Sequence, residues 1–209
     1  MTALLGEHRP DLKEAGKKDW QPPALPRQTL AGRIWRAAWR LTRAAIARLL
    51  HPRVSIGPRC DIRRRLHLQI GEHGTVQMGA ECIIDHDAVI EAYGRIDIGA
   101  RTIFGHHCTV AAQESIFIGE DCLIAEMVSI RDHDHRFDRL DIPVRMQGSI
   151  SSPIHIGRNV WIGAKATITR GVKIGDNAII GANAVVTRDI PANAIAVGTP
   201  ARVQRLREG

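Results

Sequence analysis

The chain has 209 residues, of which 44% are hydrophobic and 24% charged, a composition typical of a soluble protein with one sizeable domain and an accessory segment. No apolar run approaches the roughly 18 residues of a membrane span, and the N-terminus lacks the pattern of a signal peptide, so we expect a cytoplasmic protein. Residues 1–53 contain 11 Lys and Arg against 4 Asp and Glu, whereas residues 54–209 are balanced at 18 against 18. Because the charge of +7 lies in one short segment, the composition argues against a nucleic-acid partner.

The first 50 residues divide into two parts. Residues 1–28 are polar and contain three clustered prolines, which predicts an extended arm or linker. Residues 29–50 predict a basic amphipathic helix, with two tryptophans beside an arginine face formed by Arg33, Arg36, Arg40 and Arg43. This pattern favours peripheral contact with an anionic membrane surface. The alternative is that the helix packs on the remainder of the protein.

A short internal repeat begins near residue 54. Aliphatic residues recur every six positions without a slip: Ile156, Ile162, Ile168, Ile174, Ile180 and Val186. Upstream, the same step recurs in three sets whose starts are twenty residues apart, at Met78, Ile98 and Ile118. Neither a helix nor an ordinary strand has a period of six, whereas a three-sided coil with one short strand per side does.

The repeat therefore predicts an all-β fold, a parallel β-helix of about five coils over residues 54–205. Positions two before each aliphatic residue also point inward, and they are small: Cys82, Cys108, Cys122, Ala166, Ala178 and Ala184. The cysteines lack the C-x-x-C spacing of zinc or redox sites and are expected to be reduced core residues. Gly and Asn after the aliphatic positions tolerate the left-handed backbone of tight corners.

One segment interrupts the repeat. Residues 131–153 are too polar for a β-helix wall and must form a loop outside it. This loop contains His133 and His135 together with Asp132, Asp134 and Asp138. The other interpretation of these residues is a solvated charged loop.

The motifs IRDHDH, VWIGA, VTRDIP and GTPAR, in this order, resemble those of the hexapeptide-repeat sugar O-acetyltransferases. Galactoside and maltose acetyltransferases are familiar members, and the IRDHDH variant is closer to those that acetylate surface polysaccharides and O-antigens. The resemblance implies a left-handed coil, a homotrimer and direct transfer of an acetyl group from acetyl-CoA to a sugar hydroxyl. It implies no metal.

In that family a loop histidine takes the proton from the acceptor hydroxyl, a role that suits imidazole because its pKa lies near working pH. Counting without gaps from Ile118 and Gly119 puts His135 at the catalytic position, and His133 is the second candidate. The sequence leaves open whether Asp132 or another carboxylate orients the ring.

The resemblance also implies the residues that bind the two substrates. Those expected at coenzyme A are Trp161, Ala164, Ala182, Thr187, Arg188, Arg202 and Arg205. Those expected at the acceptor are His106, His107 and Gln113. Because the family's acceptor-binding Asn and Asp fall near Gly105 and Gln113, neither of those side chains is retained, which argues against a galactoside-like acceptor.

Two other functions remain open at this point. A γ-class carbonic anhydrase has the same β-helix but needs three zinc-binding histidines, and this chain offers only the pairs His106–His107 and His133–His135. A non-catalytic scaffold or assembly subunit would need only the repeat. Failure to bind coenzyme A would favour the scaffold.

Overall fold

The computed structural model describes residues 29, 42–43, 45–47 and 49–208. The described residues between 42 and 50 are helical, whereas the rest of the predicted helix over 29–50 and the predicted arm over 1–28 lie outside the described residues. No helix in this described part is long and apolar enough to span a membrane.

From residue 54 onward the chain winds into a three-sided parallel β-helix, which confirms the predicted solenoid architecture. Each side is one sheet, and successive coils contribute one short strand to each sheet. Sheet A comprises β1 (Val54–Ile56), β4 (Thr75–Met78), β7 (Arg95–Ile98), β10 (Ser115–Ile118), β15 (Ile154–Ile156) and β18 (Lys173–Ile174). Sheet B comprises β2 (Asp61–Ile62), β5 (Ile83–Ile84), β8 (Ile103–Phe104), β11 (Leu123–Ile124), β16 (Trp161–Ile162), β19 (Ile179–Ile180), β21 (Ala194–Val197) and β22 (Arg202–Leu206). Sheet C comprises β3 (His67–Ile70), β6 (Val89–Ala92), β9 (Thr109–Ala112), β12 (Ser129–Arg131), β17 (Thr167–Ile168) and β20 (Val185–Val186).

The core is the interior of the prism, filled by the repeat aliphatics in register. On sheet B, for example, Ile124 is aligned with Ile162 and then Ile180, and all three are fully buried. The four cysteines are free and buried, and the small inward alanines are fully buried, as the repeat predicts. Aliphatic side chains alternating with small ones fit the narrow interior because each coil stacks directly on the previous one.

Asn and Gly occur at the corners of the coils for different structural reasons. At the corner between sheets A and B, Asn159, Asn177 and Asn193 adopt positive φ of 52° to 60°, in agreement with the predicted left-handed backbone. The glycine that follows each inward aliphatic of sheet A is needed for a different reason, namely close approach between coils. A Cβ on Gly119, for example, would lie 2.6 Å from the carbonyl carbon of Gly157.

Sheets A and C each contain six strands, so there are six complete coils rather than about five. The additional coil is the first one, where Ile56 and Ile62 are buried. Its repeat is harder to recognise because it is rich in arginine and is 22 residues from the next coil rather than 20. At the other end, β22 pairs antiparallel with β21 and covers the edge of sheet B.

The loop leaves the prism directly after β12. It forms a two-stranded antiparallel ribbon, β13 (His133–His135) with β14 (Ser149–Ser151), followed by a return to sheet A at β15. A single 3-10 turn, Val144–Met146, lies at the far end of the ribbon. The ribbon therefore rises from the end of sheet C, and its histidines lie at its base.

Candidate active site

A buried carboxylate organises the base of the loop. Asp132 has no solvent exposure. Its Oδ1 accepts the backbone N–H of Gln113 at 2.7 Å, and its Oδ2 accepts that of Glu114 at 2.8 Å. A buried carboxylate is costly unless it is hydrogen-bonded in this way, so these amides hold Asp132 in one position.

The third partner of Asp132 is the ring of His133. His133 Nδ1 lies 3.0 Å from Asp132 Oδ1, and the ring is mostly but not fully buried. An ionised carboxylate only accepts hydrogen bonds, so Nδ1 carries the proton in this arrangement. In the neutral ring Nε2 then has a lone pair, and this is the tautomer that a general base requires.

His135 is in a different environment. It lies two residues further along β13 and is exposed, and its ring makes no side-chain hydrogen bond within the described residues. Because residues i and i+2 of a strand point to the same face, His133 and His135 share one side of the ribbon. Only His133, however, is oriented by a carboxylate.

Side chains that the sequence did not single out anchor the ribbon. Ser149 Oγ donates to Gln113 Oε1 at 2.7 Å, and Ser151 Oγ donates to Glu114 Oε2 at 3.0 Å. On the other side, Arg170 Nε donates to Asp134 Oδ2 at 2.8 Å. Arg170 lies outside the recognised motifs, and its sequence context alone indicates only a charged surface residue. Gln113 therefore lies at the base of the loop, in contact with Asp132 and Ser149.

A further residue beside the ring was not predicted. Arg131, on β12, places Nη1 3.3 Å from His133 Nε2 and 3.8 Å from Glu91 Oε2. In the sequence, the one feature that could have pointed to Arg131 is its place at an outward position of the last strand before the loop.

The remaining predicted residues lie mostly at the corner between sheets B and C, here called the BC corner. His106 and His107 lie at this corner between β8 and β9, whereas Ala164 and Ala182 lie at it two and three coils further on, where Asn183 N donates to Ala164 O at 2.9 Å. The rings of His106 and His107 meet edge to face at 5.3 Å between centroids. The half-exposed Trp161, on β16, precedes the corner.

At the BC corner, His107 lies close to the charged residues Asp87 and Arg65. His107 Nε2 lies 3.9 Å from Asp87 Oδ2. A hydrogen bond from Arg65 lowers the pKa of the Asp87 carboxyl, which stays ionised at neutral pH. Within the described residues, no group of three or more His, Cys, Asp or Glu side chains converges as a metal site would.

Thr187 and the three arginines expected at coenzyme A are divided between two places. Thr187 and Arg188 follow β20 at the loop end of sheet C, and both are exposed. Arg202 and Arg205 lie on β22, where Arg202 is aligned with Val197 and Arg205 with Ile195. Sheet C therefore separates the loop histidines, Gln113, Thr187 and Arg188 from the residues of the BC corner.

The width of that separation follows from the register. Ser129 is aligned with Thr167, so Asp132 lies beside Arg170, six residues along the coil from Ala164. At about 3.3 Å per residue, six residues span about 20 Å. A single chain thus keeps the two halves of the predicted site apart.

Residues 153–188 match the family described as bacterial transferase hexapeptide (six repeats). The repeat of this chain is the transferase hexapeptide. A probable acetyltransferase of Mycobacterium tuberculosis is 33% identical to this hexapeptide-repeat chain over 155 residues, which cover 74% of the chain and 43% of the relative. A putative lipopolysaccharide biosynthesis O-acetyl transferase of Escherichia coli K12 is 34% identical over 93 residues, covering 41% and 47%. The chain thus spans less than half the length of these curated relatives.

A solved structure shares both the repeat and the fold. It is a hexapeptide-repeat-containing acetyltransferase from Vibrio cholerae O1 biovar eltor, complexed with acetyl coenzyme A. The TM-score is 0.58 at 26% identity, over 81% of this hexapeptide-repeat chain and 78% of that one.

Proposed function

We propose that this protein transfers an acetyl group from acetyl-CoA to a hydroxyl of a sugar or polysaccharide precursor. The observation that carries the proposal is the Asp132–His133 pair, a histidine oriented by a buried carboxylate at the base of a loop. The relatives support the reaction class, because both are named acetyltransferases and one is named for lipopolysaccharide biosynthesis. The acetyl coenzyme A bound to the Vibrio cholerae protein supports the donor.

The residues can perform a direct transfer. His133 Nε2 accepts the proton of the sugar hydroxyl while the hydroxyl oxygen attacks the thioester carbonyl carbon, and Asp132 stabilises the resulting imidazolium. Backbone N–H groups stabilise the developing oxyanion. When the carbon–sulfur bond breaks, the proton passes from Nε2 to the coenzyme A sulfur, and the sugar leaves as its O-acetyl ester.

We assign the base to His133 rather than to His135, the first choice of the ungapped count. A general base needs a defined tautomer and a fixed orientation, and the 3.0 Å contact with Asp132 provides both. His135 has the required residue type but lacks such a partner within the described chain. It remains the alternative base and can line the acceptor site on the same face of the ribbon.

We further propose that two copies complete each active site. The loop histidines and the BC corner lie on opposite edges of sheet C, about 20 Å apart, and a proton transfer needs contact. A neighbouring copy that presents its BC corner to the loop would join the halves, which supports a homotrimer with a site between each pair of neighbours.

An apolar ladder offers a surface for that contact. Outward residues on sheet B align across six coils, namely Ile83, Ile103, Leu123, Trp161, Ile179 and Ile195. Trp161 and Leu123 are each nearly half exposed. A contiguous apolar strip of this kind on a protein surface is typical of an interface. We propose that it is buried between copies and that Trp161 lies beside the pantetheine of coenzyme A.

For coenzyme A itself, we propose that backbone amides at Ala164 and Ala182 bind the thioester and pantetheine. Arg188, Arg202 and Arg205 bind the phosphates, because a guanidinium matches phosphate oxygens in a bidentate way, and Thr187 contacts coenzyme A beside Arg188. On the acceptor side, Gln113 lies beside the base, and His106 and His107 reach the acceptor from the neighbouring copy's BC corner.

We propose a left-handed coil for the acyltransferase domain over 54–205, an arm over 1–28 and a basic helix over 29–50. That helix would bring a cytoplasmic enzyme to a lipid-linked acceptor at the inner membrane face. Liposome co-sedimentation tests this last point. Binding that persists after deletion of residues 1–50 would contradict it.

The main experiment incubates the protein with acetyl-CoA and a panel of sugars and lipid-linked glycans, followed by mass spectrometry of the products. We expect one acetyl group per accepted sugar. His133→Ala should lower kcat by about 10²–10⁴-fold with little change in acetyl-CoA binding, and His135→Ala should cost much less. The reverse order would make His135 the base. If no acceptor is acetylated and acetyl-CoA does not bind, the protein is a scaffold.

A further inference from the structure

The arginine beside the predicted base holds an unusual position. Arg131 is the outward residue of the last rung before the loop, and its Nη1 lies between His133 Nε2 at 3.3 Å and Glu91 Oε2 at 3.8 Å. Ala111, aligned with Arg131 on the adjacent coil, faces outward yet is fully buried. Glu91 is aligned with Ala111 in turn, so Arg131 approaches Glu91 across this small residue while its Nη1 contacts the ring at Nε2.

This contact occupies the atom on which the reaction depends. Since Nδ1 donates to Asp132, Nε2 is the acceptor in the neutral ring, and Arg131 donates to it. A lone pair that accepts a hydrogen bond from a guanidinium is not available to a sugar hydroxyl. Arg131 must move away from Nε2 before His133 can act as a base.

The surrounding charges indicate what can move it. Asp132 is held by two backbone amides, Asp134 is paired with Arg170, and Glu114 accepts from Ser151. Glu91 is the remaining carboxylate near Arg131 in the described chain, and at 3.8 Å it forms an ion pair without a hydrogen bond. A guanidinium in this setting can be drawn away by an oxyanion that offers it a bidentate contact.

We propose that the acceptor is an anionic sugar whose oxyanion binds Arg131 and thereby frees His133 Nε2. The oxyanion is the carboxylate of a sugar acid or the phosphate of a phosphorylated or lipid-linked sugar, and both share the chemistry that a guanidinium recognises. Arg131 is thus a specificity residue that keeps the base occupied until an acceptor with the right charge is bound. This inference rests on the proposed acetyl transfer and names its acceptor class.

The test compares three acceptors with acetyl-CoA as donor: methyl glucuronide, glucose 1-phosphate and the neutral methyl glucoside. Release of the coenzyme A thiol gives kcat/KM for each. The wild type should prefer at least one anionic acceptor by about tenfold or more, the size expected for a charge-assisted hydrogen bond. The preferred anion distinguishes a sugar acid from a sugar phosphate.

Variants assign the preference to the residue. Arg131→Gln should abolish the discrimination while the neutral acceptor reacts at least as well as before. Glu91→Gln removes the competing carboxylate and should strengthen the preference for the anion. Arg158→Gln, which removes an exposed arginine paired with Asp176 on another face, is the matched control and should leave the preference unchanged. Equal use of all three acceptors by the wild type, or discrimination that persists in Arg131→Gln, would overturn the proposal.

A binding measurement separates this inference from the proposed reaction. Imidazole ¹H–¹⁵N spectra of the full-length protein, titrated with glucuronide or glucose 1-phosphate in the absence of donor, report on His133 Nε2 directly. A shift in the wild type that is lost in Arg131→Gln supports the contact even if no acetyl transfer is found. No shift with either anion contradicts it, whatever the outcome for catalysis.

Discussion

The regular coils and the loop over residues 131–153 are held together by different kinds of interaction. In the coils, backbone groups pair with the coils above and below, and the core is a stack of aliphatic and small residues. In the loop, a few specific side chains provide the order: Asp132, Gln113, Ser149, Ser151 and Arg170. Stability is therefore distributed over many equivalent positions in the coils and concentrated in a few at the loop.

This difference predicts how each region responds to substitution. A change in the coils removes one of many similar contacts and should affect the whole prism, because neighbouring coils share a core. A change in the loop should affect the site more than the fold.

Truncation in the coil core should have the largest effect. Ile162 is fully buried between Ile124 and Ile180, so Ile162→Ala leaves a cavity and should lower the free energy of unfolding by about 2–5 kcal/mol. Urea denaturation measures the change. The folded variant should keep most of the proposed acetyl-transfer activity per molecule. A loss below about 1 kcal/mol would mean that the coils can collapse around the gap.

Removing the charge of Asp132 should have the largest effect at the loop. Asp132→Asn turns one acceptor oxygen into an NH₂ group facing a backbone N–H, so we expect about 2–3 kcal/mol of destabilisation. The orientation of His133 also weakens, which should lower kcat by about 10–100-fold. Urea denaturation and initial rates measure the two effects.

Asp134→Asn is the matched control for this prediction, because Asp134 is exposed and lies only two residues further along the chain. This variant should change the free energy of unfolding and kcat much less than Asp132→Asn does. If the two variants behave alike, the burial of Asp132 is not what orders the loop.

The sequence predicts the coils well because their determinants are local and repeated. The period of six identifies the inward positions from Ile156 to Val186, and buried Cys82, Cys108 and Cys122 follow from the same register. The sequence predicts about five coils rather than six because Arg63, Arg64 and Arg65 obscure the repeat around Ile62 in the first coil. Its arginines face outward, where the fold tolerates them.

The candidate site was less predictable because it depends on distances across the chain. An ungapped count cannot show that Asp132 is buried against the amides of Gln113 and Glu114, and this contact is what distinguishes His133 from His135. Nor does the sequence show that His106 and Gln113, seven residues apart, lie at opposite edges of sheet C.

The buried thiols provide a more moderate prediction for the coils. Burial raises the pKa of Cys108 from 9.0 to about 11, because the thiolate is poorly solvated in the core. The pKa of this thiol is higher in the folded than in the unfolded protein. Its contribution to the free energy of unfolding is therefore fully present below pH 9 and is lost as the pH rises towards 11. Denaturation at pH 8, 9.5 and 11 should show decreasing stability.

Thiol labelling provides an independent check on the same group. Ellman's reagent at pH 8 should react slowly with the native protein and rapidly after unfolding. Rapid labelling of all four cysteines in the native state would mean that the coils open readily. A Cys108→Ala variant should reduce the pH dependence, which assigns the effect to this thiol.

The smallest expected effect concerns the exposed anchor of the loop. Arg170 and Asp134 form an ion pair at 2.8 Å, and both side chains are more than a third exposed. Exposed pairs contribute about 0.2–1 kcal/mol, so a double-mutant cycle with Arg170→Gln and Asp134→Asn should give a coupling energy in that range. The coupling should decrease with added salt because water and ions reach the pair. A coupling above about 2 kcal/mol that is insensitive to salt would show that the pair is shielded, as it would be if a second copy covered the loop.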